Sequence, residues 1–226
     1  MSGCGRTARP STSRTERAAK EGARTLIVWR HGETDHNAEG IWQGQLDTAL
    51  SDKGREQALA ASLMLAAYSP SVIVSSDLQR AADTARTLAS RVGLEVLYDE
   101  RLREIHAGQW QGMTAGDVAE RFPEEQAALA AGDDIPRGGD GESLSQVAER
   151  TRAAVDDLLA DLAPGECAVI ATHGVSGRAV VASMVGLDQH LAWQSIAGLH
   201  NCHWAELSEY TAGWRMAAWN VGPDPS

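Results

Sequence analysis

Four short apolar runs lie at wide intervals along this chain, and stretches of helical period separate them. TLIVWR (25–30), PSVIVSSD (70–77) and ECAVIATHG (166–174) read as buried strands by length and composition, and LEVLYD (94–99) as a further strand. Between them, residues 50–68 predict a helix with Ser51 as N-cap, and residues 78–93 a helix closed by Gly93. Helical stretches follow around 115–122 and 124–131, then a long amphipathic helix over 143–163 with Ser143 as its cap, and another begins after Gly174. CHWAELSEYTAGWRMAAWN (202–220) alternates around a Thr-Ala-Gly turn, the pattern of a β-hairpin. Strands alternating with helices imply a mostly parallel sheet covered on both faces, a three-layer α/β/α sandwich forming one domain over 25–226. Residues 1–24 have no apolar period and are expected to be a disordered tail.

Composition narrows the function. Residues 1–24 hold six Lys/Arg against two Asp/Glu, so the remainder carries 14 basic against 29 acidic residues. Nucleic acid is a poor partner for such an acidic body, whereas a small anion remains possible where a few arginines converge. No apolar run approaches the roughly 18 residues of a membrane span, and the first residues lack the apolar core of a secretory leader, so cytosol is the expected address. Cys4, Cys167 and Cys202 form no C-x-x-C pair, and Cys167 opens an apolar strand as core filler. No Walker loop and no G-x-G-x-x-G follows a strand, so no nucleotide cofactor is expected.

In an open α/β sheet, ligands bind beyond the carboxyl ends of the strands. Arg30 and His31 end the first strand, Arg80 follows the second in SSDLQR, Glu104 follows the third in RLRE, and His173 ends the fourth. One such residue is more often structural than functional, but five at matching strand ends suit phosphoryl transfer through histidine. A neutral imidazole is a competent nucleophile, and fixed guanidinium charge suits a phosphoryl group whose charge is spread over three oxygens. Gly32 and Gly174 remove a Cβ where backbone would approach a ligand, and the free N–H groups of the helix after Gly174 would favour an anion. Glu104 would protonate the leaving oxygen, a bound phosphate dianion nearby favouring its protonated form, and would then activate water. A metal at His31, Asp35 and His36 is not expected, because the spacing fits no zinc motif and His36 should point to solvent.

RHGETDHN (30–37) resembles the R-H-G-[EQ]-T-x-x-N signature of the histidine phosphatase superfamily, with its phosphoglycerate mutase-like fold. The likeness continues through LSDKGREQA, VSSDLQRAADTA, RLREIHAGQWQG and ATHGVSGR, over roughly residues 25–220. It implies that His31 is the phosphorylated nucleophile, Glu104 the proton donor, and Arg30, Arg80 and His173 the phosphate pocket. Asn37 would bind the phosphate, Gln43 would reach the substrate, and Thr34 would hold the loop or sit near the phosphate. No metal or other cofactor is implied, and a homodimer is possible because family members are often dimers. Mutases of the family carry a longer insertion between the acid and the second histidine; here 68 residues separate Glu104 from His173. A shorter cover leaves the site open to water and favours a phosphatase.

Within the family, WQGQLDT, EIHAGQWQG and NCHWAEL resemble a branch acting on an anionic sugar–glycerate phosphate such as glucosyl-3-phosphoglycerate. Seven tryptophans stand against one phenylalanine. Trp42 and Trp110 lie in loops beside Gln43 and Glu104, where they would either form an apolar wall for a sugar or anchor those loops.

Overall fold

β1 (Thr25–Arg30), nearly all apolar, lies inside a six-stranded sheet with neighbours on both edges. The sheet also contains β2 (Val72–Ser75), β3 (Val96–Tyr98), β4 (Cys167–Thr172), β5 (Trp204–Tyr210) and β6 (Gly213–Val221), in the order β3-β2-β4-β1-β5-β6. β3, β2, β4 and β1 run parallel, while the hairpin β5–β6 joins antiparallel to β1. The computed structural model describes residues 22–223. Most of the expected tail therefore lies outside the described residues. Its last residue, Arg24, donates two hydrogen bonds to the Glu209 carboxylate, 2.8 and 2.6 Å long.

Alternation along β1 divides the core. Leu26 and Val28 join Ala168, Ile170, Val155, Leu159 and Val180 on one face, beneath α6 (Leu144–Asp161) and α7 (Gly174–Met184). Ile27 and Trp29 join Val169, Ala171, Ala58, Leu65, Ala85 and Leu88 on the other, beneath α2 (Asp52–Leu65) and α3 (Gln79–Val92). Helices on both faces of a sheet whose inner strands, β1 and β4, are buried on both sides make the three-layer sandwich.

The expected caps are present. The Ser51 hydroxyl accepts from Gly54 N, and Ser143 forms a capping box with Gln146, while Gly93 ends α3 with φ +73°. α4 (Ala115–Arg121) and α5 (Pro123–Ala131) fall where expected. Two helices do not: α1 (Asp35–Ala38), one turn inside the opening motif, and α8 (Gln189–Ser195), whose apolar residues are too few to show a period. No helix among the described residues is long and apolar enough to cross a membrane.

Candidate active site

The carboxyl ends of β1, β2 and β4 meet, and backbone bonds lock them together. His31 N donates to Thr172 O, Ser76 N to Ala171 O, and Cys202 N to the carbonyls of Arg30 and His31. A cavity of about 170 Å³ opens above them, lined by Arg30, His31, Asn37, Trp42, Gln43, Arg80 and Glu104 among others. Seven of the residues expected from sequence are thereby brought together from five segments of chain, once His173 is included. The ring of His173 is fully buried and stands edge-on to that of His31, centroids 5.1 Å apart.

His31 is 2% exposed, and its Nδ1 lies 2.6 Å from the carbonyl of Gly32. A carbonyl only accepts, so the proton sits on Nδ1 and the Nε2 lone pair is free. Burial first, then the guanidinium groups of Arg80 and Arg30, hold this imidazole well below its ordinary value. His173 is depressed likewise, chiefly by burial and Arg80, and its Nε2 pairs with Ser76 Oγ at 2.9 Å. Arg80 is completely buried and donates to the carbonyls of Leu46 and Gly44, its pKa pushed down to about 10 by burial. Arg30 donates to Leu199 O. Both arginines stay cationic at neutral pH. Arg30 Nε, Arg80 Nε and His173 Nδ1 are nevertheless buried without a hydrogen-bond partner among the described residues. Buried donors without acceptors are uncommon and costly.

Two amides complete the set. Thr34 caps α1 and is wholly buried, so it stands behind the cavity, donating from Oγ1 to Gln43 Oε1 at 3.0 Å. Asn37 Oδ1 accepts from Asn201 Nδ2 at 3.1 Å. With their oxygens engaged, both amides have their N–H groups available for an anion in the cavity.

Glu104 corrects one expectation. The N–H groups opening α7 do not await a ligand: Val175 N binds Glu104 Oε2 at 3.1 Å and Ser176 N binds Oε1 at 3.0 Å. Ile105 N also reaches Oε1, whereas the Ser176 hydroxyl, 3.2 Å from Oε1, gives its one proton to Arg103 O at 2.7 Å. The carboxylate occupies the positive end of the helix because it is the nearest anion to it. Two N–H groups hold Oε1 and only one holds Oε2, so Oε2 is the oxygen with capacity to spare. A Cβ on Gly174 would sit at ordinary contact distance from Arg30 and Glu104 Oε2.

Gly32 is a second correction. A Cβ there would come within 2.4 Å of Gly54 O, and one on Gly54 within 2.0 Å of Glu33 O. The glycine serves a backbone-to-backbone contact between the loop after β1 and the first turn of α2, not the approach of a ligand. Gly54→Ala is therefore expected to lose about 1–3 kcal/mol of stability to overpacking, read from urea unfolding. A midpoint within error of wild type would mean that this contact opens at little cost.

Trp110 takes the second of its two expected roles. It is 1% exposed and packs with Ala107, Val118 and Trp42, whereas Trp42 itself lines the cavity that holds His31. The indole of Trp110 is an anchor for its loop, because the short 3₁₀ turn Gly108–Trp110 directs it inward. His36 does not face solvent either: it is half-buried, with Nδ1 out of reach of water.

Sequence reading passed over the residues that hold the others. Ser76 orients His173, Ser176 ties the Arg103 carbonyl beside Glu104 to α7, and Asn201 ties the His31 carbonyl to Asn37. Arg150, from α6, donates to the carbonyls of Arg101, Arg103 and Glu104 and pairs with Glu142. Ser76, Ser176 and Asn201 lie within motifs that carried the resemblance, which was the available signal; Arg150 had none.

The two depressed histidines set an acid limit. Each titrates near 6.5 in the unfolded chain and well below that in the folded one. Between those values the unfolded state binds more protons, so stability is full above about 6.5 and falls as pH drops toward the folded pKa. Urea unfolding at pH 7, 6 and 5 should show this loss, and His173→Asn should lessen it. An identical slope in that variant would remove His173 as a source.

The family model described as histidine phosphatase superfamily (branch 1) matches residues 26–222. A glucosyl-3-phosphoglycerate phosphatase of Mycolicibacterium vanbaalenii is 41% identical over 218 residues, covering 88% of this chain and 95% of that one. Its namesake from Mycobacterium tuberculosis is 40% identical over 222 residues, covering 90% and 97%. The solved structure of a mycobacterial glucosyl-3-phosphoglycerate phosphatase complexed with VO3 superposes with a TM-score of 0.82 at 38% identity, covering 88% of this chain and 100% of that one. A family match from β1 to the end of the closing hairpin, over a sheet that brings the motif residues to one cavity, makes this chain a member of the histidine phosphatase superfamily.

Proposed function

We propose that this chain is a metal-independent phosphomonoester hydrolase acting through a phosphohistidine on His31, with Glu104 as proton donor. One observation carries the reading: buried donors on Arg30 and Arg80 lack acceptors, and His173 Nδ1 lacks a partner, beside a neutral imidazole whose Nε2 is free. A phosphate in the cavity would supply those acceptors, and its phosphorus would then face the lone pair.

The steps balance on the chain's own groups. His31 Nε2 attacks phosphorus as the ester P–O bond breaks, and Arg30 and Arg80 compensate the charge on the equatorial oxygens. Glu104 Oε2 gives its proton to the departing alkoxide. Water then attacks phosphorus and passes a proton to the same oxygen, while the P–N electron pair returns to Nε2. Glu104 ends protonated, as it began.

The relatives' names favour an anionic sugar phosphate, glucosyl-3-phosphoglycerate, as substrate. Phosphate release with chelator present, across that ester, 3-phosphoglycerate, sugar phosphates and p-nitrophenyl phosphate, tests both parts. Turnover of glucosyl-3-phosphoglycerate above the rest is the expected outcome. Exchange of 2- and 3-phosphoglycerate without net release would replace the reading with a mutase.

A further inference from the structure

The peptide that carries Glu104 is held by its carbonyls. Thr172 Oγ1 donates to Leu102 O at 2.8 Å and Ser176 Oγ to Arg103 O at 2.7 Å. The largest share falls to Arg150, in the second turn of α6. Its Nη1 donates to the carbonyls of Arg101 and Arg103, both at 2.7 Å, and its Nη2 to that of Glu104 at 3.0 Å. Nε and Nη2 grip the Glu142 carboxylate at 2.7 and 2.9 Å. These five bonds match the five N–H groups of a guanidinium, so the whole fork is committed to this loop and its neighbour. Glu142 in turn accepts from His106 N at 2.8 Å, and its own N–H donates to His106 O at 2.7 Å. One ion pair thereby holds the backbone before Glu104, at Glu104 and beyond it. Between the two grips, Ile105 is buried against Leu144, Val147 and Ala148 of the same helix.

Arg150 is not among the residues lining the cavity that holds His31, whereas Glu104 is. A proton donor works only within hydrogen-bond reach of the leaving oxygen, and a misplacement of about 1 Å can cost on the order of 10²-fold in rate. The carboxylate of Glu104 is aimed by three N–H groups, two on Oε1 and one on Oε2, but those bonds form only where the backbone delivers the side chain. That delivery is made from α6, a helix that supplies no residue to the cavity lining.

We propose that Arg150 is a positioning residue for proton transfer: with Glu142 it fixes the backbone on both sides of Glu104, so that Oε2 stands at the leaving oxygen. This rests on the reading of Glu104 as proton donor for its catalytic readout. Lysine at 150 is the informative change. It keeps the positive charge that also acts on His173, but its three donors share one nitrogen and cannot span three carbonyls and a carboxylate.

Arg150→Lys is expected to lower kcat/KM for an alkyl phosphate such as 3-phosphoglycerate by roughly 10- to 100-fold. On p-nitrophenyl phosphate, whose leaving group needs no proton, the loss should stay below about threefold. Placed in a Glu104→Gln background, the same change should add less than about threefold on the alkyl ester, because both act on one step. A residue that only held the fold would cost both esters alike and add its loss in full, and either result would overturn the assignment. Glu142→Gln keeps Arg150 and the shape of its partner. It should show the same selectivity with a smaller loss, and it decides the point if Arg150→Lys does not fold. Should Glu104→Gln itself spare the alkyl ester, the proton-donor reading fails, and amide exchange decides Arg150 without turnover. Val175 N and Ser176 N are bound to the Glu104 carboxylate, so in Arg150→Lys they should exchange at least about tenfold faster, while Val180 and Val181, deeper in α7, keep their rates. Unchanged exchange at Val175 and Ser176 would overturn the assignment.

Discussion

His31→Ala is expected to lower phosphate release on the order of 10⁴-fold or more on every ester while leaving phosphate binding in place. The variant loses the nucleophile and nothing else that the cavity offers an anion. Arg30 and Arg80 keep their anchors on the carbonyls of Leu199, Leu46 and Gly44, none of which depends on the imidazole. Asn37 stays tied to Asn201, and Gln43 to Thr34. Affinity for inorganic phosphate should therefore persist within a few fold, measured by calorimetry. Rapid quenching of the wild-type reaction should trap acid-labile phosphate on the protein, and the variant should trap none. Retention of more than a tenth of wild-type turnover would show that water attacks the ester directly, with His31 reduced to one wall of the cavity.

Much of this arrangement was legible before any coordinates because strands buried on both faces announce themselves. β1 and β4 are apolar through their middles, so the charged and ring residues that end each run, Arg30-His31 and His173, stand out against it. Helix ends were legible for a local reason: Ser51, Ser143 and Gly93 act within three residues of themselves. What escaped reading is action at a distance in sequence. That Glu104 takes the N–H groups of Val175 and Ser176, or that Gly32 meets Gly54, depends on which loops the sheet order juxtaposes. Neither leaves a periodic trace. Trp110 shows the same limit at one residue, since a tryptophan near a catalytic loop looks alike in sequence whether it faces the ligand or props the loop from below. The expectation that α7 waits for an anion was sound physics applied to an incomplete list of anions, because the protein's own carboxylate arrives first.

That carboxylate carries the second large effect. Glu104→Gln should cost on the order of 10²–10⁴ in kcat/KM on an alkyl phosphate such as 3-phosphoglycerate, and less than about tenfold on p-nitrophenyl phosphate. An alkoxide needs a proton as it departs, whereas p-nitrophenolate leaves without one. The amide is close to isosteric and keeps a carbonyl for the two N–H donors on Oε1, so the mismatch falls on Oε2, where an N–H₂ group would face Val175 N. Only one bond is lost, and the fold should hold. If the same group also activates water, the variant should accumulate phosphohistidine from p-nitrophenyl phosphate, seen as a burst of one p-nitrophenolate per protein before slow turnover. Ser176→Ala separates holding from proton transfer. It removes the tie from α7 to the Arg103 carbonyl beside Glu104 but no proton carrier, so its loss should be modest and alike on both esters. Equal losses for Glu104→Gln on alkyl and nitrophenyl esters, with no burst, would make Glu104 the cap of α7 and nothing more, and would send the search for the acid to the other groups lining the cavity.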